Sequence, residues 1–231
     1  MSPMTENDKP IAVAQICRLL LEGELMAAKQ TARTSLPFEP VPKKQRRKKS
    51  KENQQAGATS DVLPIGIQPA KRRVSERTRL SVWLRDGYKC RYTNARLVLP
   101  PVLELLSLLL PAELPYDNPP HGRYALTHIV MWELWPAVDH VRPVSRSQNT
   151  ASANALENLV TTSAIRNSEK SGSELTALGW GLLAPSPTPD WDGLAKWYVQ
   201  YLTRDESLFE HPTSGKRLMR WYRLLMRASA V

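Results

Sequence analysis

Residues 139–167 read DHVRPVSRSQNTASANALENLVTTSAIRN. The apolar run WPAV, residues 135–138, climbs to Asp139 and His140 and then breaks into a loop holding Arg142, Pro143 and Arg146. A polar stretch follows until Glu157-Asn158 leads into ENLVTT, whose β-branched residues predict a second strand. SAIRNSEKSGSEL, residues 163–175, predicts a helix bearing Asn167, which Gly172 would shorten. The unit is therefore strand, long loop, strand, helix. On a regular strand adjacent side chains face opposite ways, so Asp139 and His140 can share a site only where the strand ends and the backbone turns. The Arg142-Pro143 step is consistent with such a turn.

Taken singly, these residues have plain explanations. Asp139-His140 fits an ordinary strand end with a satisfied surface histidine, Asn158 a turn former, and Asn167 an exposed helix position. Joint occurrence in one supersecondary pattern is what points to chemistry. The other histidines carry less: His128 in LTHIVMWELW reads as structural, and His121 and His211 lie outside the unit.

Working outward, MWELWPAVDH is expected to enter the first strand, and PAELPYDNPPHG is a proline-heavy connection. Residues 101–110 form a Leu-rich, buried helix, and YKCRYTNARLVLP predicts a short hairpin around Thr93-Asn94. SERTRLSVWLR predicts a helix capped by Ser75 and ended at Asp86-Gly87. Residues 10–33 have apolar positions spaced for one amphipathic helix. LAKWYVQYLTRD and SGKRLMRWYRLLMRA predict two C-terminal helices, whose aromatics at helical spacing are core rather than a base-stacking platform. The organisation expected is a helical segment over 1–35, a basic linker over 36–75, a core over 76–180 and a helical extension over 181–231.

The formal charge of +10 and pI near 9.8 point to a polyanionic partner. Residues 36–75 hold ten Lys or Arg against three Asp or Glu, a net of +7. Their composition, with KKQRRKKSK at its centre, predicts a mobile linker. Charge alone fits nonspecific phosphate contacts and a solubilising tail equally. Two cysteines, Cys17 and Cys90, exclude a disulfide framework and cannot alone hold structural zinc. A reducing cytoplasm is expected, with no membrane span and no export signal.

DHVRPVSR, ENLVTT and RNSEKSG resemble the HNH endonucleases, whose ββα-metal finger has this order and approximate spacing. The wider pattern, from LRDGYKCRYTNARLV through PAVDHVRPVSR to ELTALGW, is similar to a bacterial HNH subgroup lacking the structural zinc, and covers residues 76–180. The resemblance implies an α+β fold, a mainly helical protein around a small ββα-metal finger. It also implies a metal-dependent endonuclease hydrolysing phosphodiester bonds in DNA, with RNA left open. An imidazole ordinarily titrates near neutral pH and can take a proton from water, which makes His140 the candidate general base. Asp139 would supply a hard oxygen and Asn167 an amide oxygen to Mg²⁺, or another divalent cation such as Mn²⁺, water and phosphate filling the other positions. The resemblance places Asn158 in support, holding the loop and imidazole. Arg142, Arg146, Arg166 and Lys170 would meet the nucleic-acid backbone.

Many HNH proteins bind zinc through two Cys-x-x-Cys pairs. Here the corresponding positions are Cys90, Thr93, Ser163 and Arg166, so no structural zinc is expected. Packing by Trp83, Leu105, Leu109, Trp132, Leu134 and Trp135 is expected to replace it, at about 25 cal/mol per Å² of buried apolar surface. The alternative function is a non-catalytic DNA-binding protein on an HNH scaffold, drawing on the basic segment and the basic C-terminal helix.

Overall fold

The computed structural model describes residues 8–40, 74–116, 126–147, 149–186 and 191–229. The basic stretch of the expected linker and half of the proline-heavy connection, His121 included, lie outside them. The fold is α+β: ten helices and one two-stranded antiparallel sheet among the described residues.

The predicted N-terminal helix is two helices, α1 (Asp8–Glu22) and α2 (Leu25–Ser35). Gly23, at φ 86°, makes the break, a backbone conformation that glycine adopts without steric cost. Helix α3 (Glu76–Arg85) begins where Ser75 Oγ accepts the Thr78 N–H at 3.1 Å, the cap expected from SERT. The hairpin predicted over residues 88–100 is a single bridge, Lys89 with Arg96. Its second arm turns elsewhere: Val98 N–H donates to Leu134 O and Leu99 N–H to Gly193 O, so no ladder extends.

Helix α4 (Pro100–Leu109) is apolar nearly all round and correspondingly central, with Val102, Leu103, Leu105 and Leu106 fully buried. MWELW does not start the strand; residues Val130–Glu133 form one helical turn, α5, and strand β1 is Pro136–His140. A short helix α6 (Thr150–Ala153) lies in the connection to β2 (Leu159–Ser163). The strands pair in register from Pro136 opposite Ser163 to His140 opposite Leu159. Helix α7 (Ala164–Lys170) follows at once, capped by Ser163, and stops at Ser171, one residue before the glycine expected to shorten it. The chain ends through α8 (Leu175–Leu178), α9 (Ala195–Arg204) and α10 (Gly215–Ser229).

One apolar core joins α1, α3, α4, α9 and α10. Trp83, Leu105 and Leu134 are buried in it, while Leu109, Trp132 and Trp135 pack against it partly exposed. Trp197 Nε1–H donates to Cys17 O at 2.6 Å and Tyr198 OH to Leu218 O at 3.0 Å, so the terminal helices are tied to each other through buried polar contacts. Among the described residues no helix is long and apolar enough to cross a membrane.

His128 belongs to this framework. Its Nε2–H donates to Leu36 O at 3.0 Å while Nδ1 accepts the Val130 N–H at 3.1 Å. Burial lowers its pKa below 6.5, only partly opposed by the Leu36 hydrogen bond. A histidine depressed in the folded state stabilises above its unfolded pKa, and that contribution is lost as pH falls through the folded value. The urea midpoint is therefore expected to drop as pH is lowered below about 6.5, and His128→Gln to flatten this drop. An unchanged slope in the variant would assign the drop to other groups.

Candidate functional site

The ends of β1 and α7 are brought together by the sheet register. Asp139, His140 and Asn167 border one cleft of about 400 Å³, completed by the loop Pro143–Ser145 and by Ser171-Gly172. Asp139 is buried and His140 and Asn167 are half-buried. β1 stops at His140, and the backbone bends at Val141-Arg142, where adjacent residues can reach one cleft.

The imidazole is held from the β1–β2 connection. His140 Nε2–H donates to Asn154 Oδ1 at 2.9 Å, which leaves the basic lone pair on Nδ1. Asn158 steadies that connection. Its Oδ1 accepts the Arg142 N–H at 2.7 Å, and its Nδ2 donates to Arg142 O at 3.2 Å and Ala153 O at 2.8 Å. Ala153 immediately precedes Asn154, so one amide links the bend after β1 to the residue that orients the ring.

Asp139 faces inward. Tyr92 OH donates to its Oδ2 at 2.7 Å, and Lys170 Nζ lies 3.2 Å from Oδ2 and 3.5 Å from Oδ1. Burial, then the Asp139 carboxylate, pushes the Tyr92 phenol far up, keeping it a donor. Lys170 Nζ also donates to His140 O at 2.8 Å. Lys170 was expected on the DNA surface; it is fully buried instead, because its ammonium neutralises Asp139 and closes the end of β1. Arg166 does not border the cleft either. It pairs with Glu169 at 2.9 Å and stacks over Trp180 on the other side of α7. Arg146 is exposed but shared with Glu174 at 3.2 Å, and Arg142 is exposed beside the bend.

Could these residues hold a divalent cation? Among the described residues no group of three or more His, Cys, Asp or Glu is placed to hold a metal. The cleft offers a sparser set. Asp139 Oδ1 has only the marginal 3.5 Å contact to Lys170, and the Asn167 side chain makes no hydrogen bond among the described residues. One carboxylate and one amide beside an open cleft fit a hard, largely hydrated ion such as Mg²⁺. The nearby ammonium lowers the attraction such an ion would feel.

On the opposite side of α7 from the cleft, Thr93, Ser163 and Arg166 line one cavity of about 110 Å³. Nearby, buried Cys90 places Sγ 3.6 Å from Thr162 Oγ1. A connection from α3 to β2 is made by Asp86, fully buried at the end of α3. Its Oδ2 accepts the Thr161 N–H at 2.8 Å, and its carboxylate meets Arg85 at 2.8 Å and Arg91 at 3.0 Å. Burial alone would raise the Asp86 pKa, but the bonds from Arg85 and Thr161 outweigh it and the net shift is downward. Asp86→Ala is expected to cost about 3 kcal/mol in urea unfolding, the low end for breaking a buried ion pair because Arg85 reaches solvent. A loss under about 0.5 kcal/mol, typical of a surface site, would show that the anchor is dispensable.

Tyr92, Asn154 and Asp86 are the residues that sequence reading missed. Asn154 carried a faint signal, an amide within the loop that follows the histidine. Asp86 read only as a helix stop, and nothing local marks Tyr92. No family model, curated protein or solved structure matches the chain.

Proposed function

We propose that this protein is a metal-dependent endonuclease of the HNH kind, hydrolysing phosphodiester bonds in DNA. One observation carries the reading: Asp139, His140 and Asn167, from the end of a strand and the following helix of a ββα unit, border one cleft. His140, its Nε2–H held by Asn154, takes a proton from the attacking water at Nδ1. The water oxygen adds to phosphorus and the P–O bond to the leaving sugar oxygen breaks, that oxygen regaining a proton from solvent. Asn158 holds the bend so that the imidazole keeps its aim. Asp139 and Asn167 would hold the divalent cation, whose chemistry is to neutralise charge on the phosphate and the leaving oxygen. Arg142, exposed at the bend, would meet a flanking phosphate.

The alternative, a DNA-binding protein without catalysis on the same scaffold, has one observation on its side. Lys170 already sits against Asp139 as an internal cation. Supercoiled plasmid incubated with Mg²⁺ or Mn²⁺ separates the two. The nuclease reading expects nicked and linear products that chelator abolishes. Salt-sensitive binding without turnover in any divalent metal would leave the binding reading standing.

A further inference from the structure

We propose that the outer face of α10, with the start of α3, is a second nucleic-acid surface that tracks the phosphate backbone of duplex DNA away from the Asp139 cleft; it rests on the DNA partner proposed above. Lys216, Arg220, Arg223 and Arg227 are spaced four, three and four residues apart, so they form one row along the helix, and all four are exposed. At 1.5 Å per residue the row runs about 16 Å. It faces Arg77 of α3 across a groove of about 380 Å³. Among the described residues Glu76 is the one carboxylate that lines that groove, and it pairs with Arg220. Among the described residues Arg77, Lys216, Arg223 and Arg227 have no acidic partner.

A solvated charged face on a surface helix normally interleaves both signs. This row has a single sign, on a rigid mount. Trp221 of α10 stacks on Trp83 of α3 with centroids 6.1 Å apart, and Arg217 pairs with Glu104 of α4. The same packing decides against a lipid surface. A helix lying in a membrane interface must bury its apolar stripe in lipid. Here Leu218, Trp221 and Leu225 are already buried in the protein's own core. What is left to offer is positive charge at regular intervals, which matches a polymer carrying one negative charge per about 1.7 Å of duplex axis.

The test uses the full chain with Lys216→Gln, Arg223→Gln and Arg227→Gln combined, titrated against a blunt DNA duplex in chelator over a range of KCl. A control variant, Arg18→Gln, Lys29→Gln and Lys196→Gln, removes the same charge elsewhere. Each lost phosphate contact lowers the slope of log K against log salt by about 0.9, so the α10 variant is expected to lose about 2.7 from that slope while the control keeps it. An unchanged slope in the α10 variant overturns the proposal, and so does an equal loss in the control, which would mean diffuse charge. Loss of binding to phosphatidylcholine–phosphatidylserine vesicles with duplex binding intact would overturn it in favour of a membrane. The slope in chelator decides this surface whether or not His140→Ala abolishes cleavage, so the two readings fail separately.

Discussion

His140→Ala is expected to cleave supercoiled plasmid about 10²- to 10⁴-fold more slowly than the parent chain at saturating Mg²⁺, the range that a positioned general base contributes. Among the described residues the ring makes one hydrogen bond, to Asn154, and it is only half-buried, so its removal should cost the fold about 1 kcal/mol. Activity and stability therefore separate in this variant. A structural role for the imidazole predicts the reverse, a lower urea midpoint with residual turnover that follows the folded fraction. His140→Gly adds a readout that structure alone does not move: free imidazole in the buffer should restore part of the rate by filling the space the side chain vacated. Cleavage by His140→Ala at the parental rate would remove the residue from its role. Loss of cleavage without imidazole rescue would point to positioning rather than proton transfer.

How far the sequence carried depended on the range of the forces involved. The Ser75 cap, the Leu-rich α4 and the order β1, β2, α7 follow from spacing and local side-chain chemistry, and all are present. The hairpin around Thr93-Asn94 stops at the one Lys89–Arg96 bridge because Val98 and Leu99 found backbone partners at Leu134 and Gly193, a choice no local pattern encodes. MWELW misled for a related reason. Its apolar residues suit a strand or a buried helical turn equally, and packing against the core selected the turn. Lys170 failed in the other direction. In NSEKSG it reads as a surface cation, and only the position of Asp139, thirty-one residues earlier, explains why it is fully buried. The cleft residues were legible because strand end, loop and helix are contiguous; Tyr92, forty-seven residues before Asp139, was not.

Lys170→Met is expected to destabilise the protein by about 3–5 kcal/mol in urea unfolding, because it strands the Asp139 carboxylate in the interior with only the Tyr92 hydroxyl as donor. Methionine has a similar length and no charge, so packing is largely kept and the loss reports the ion pair and the bond to His140 O. The pairing can be isolated. Asp139→Asn removes the second charge while leaving an oxygen to accept from Tyr92, so the double variant should recover much of what Lys170→Met loses, a coupling well outside the additivity of independent sites. A single-variant cost near that of an exposed pair, under about 1 kcal/mol, would show that the Lys170 site is hydrated rather than buried. The same variants address the cation. If Asp139 is a ligand held in check by the neighbouring ammonium, Mg²⁺ should raise the melting temperature of Lys170→Met more than that of the parent, since a ligand that binds only the folded state stabilises it by mass action. The effect should vanish in the double variant. Equal Mg²⁺ shifts in all three proteins would place any bound cation away from Asp139, and with it the carboxylate's role would be to anchor α7 to the strand end through Lys170.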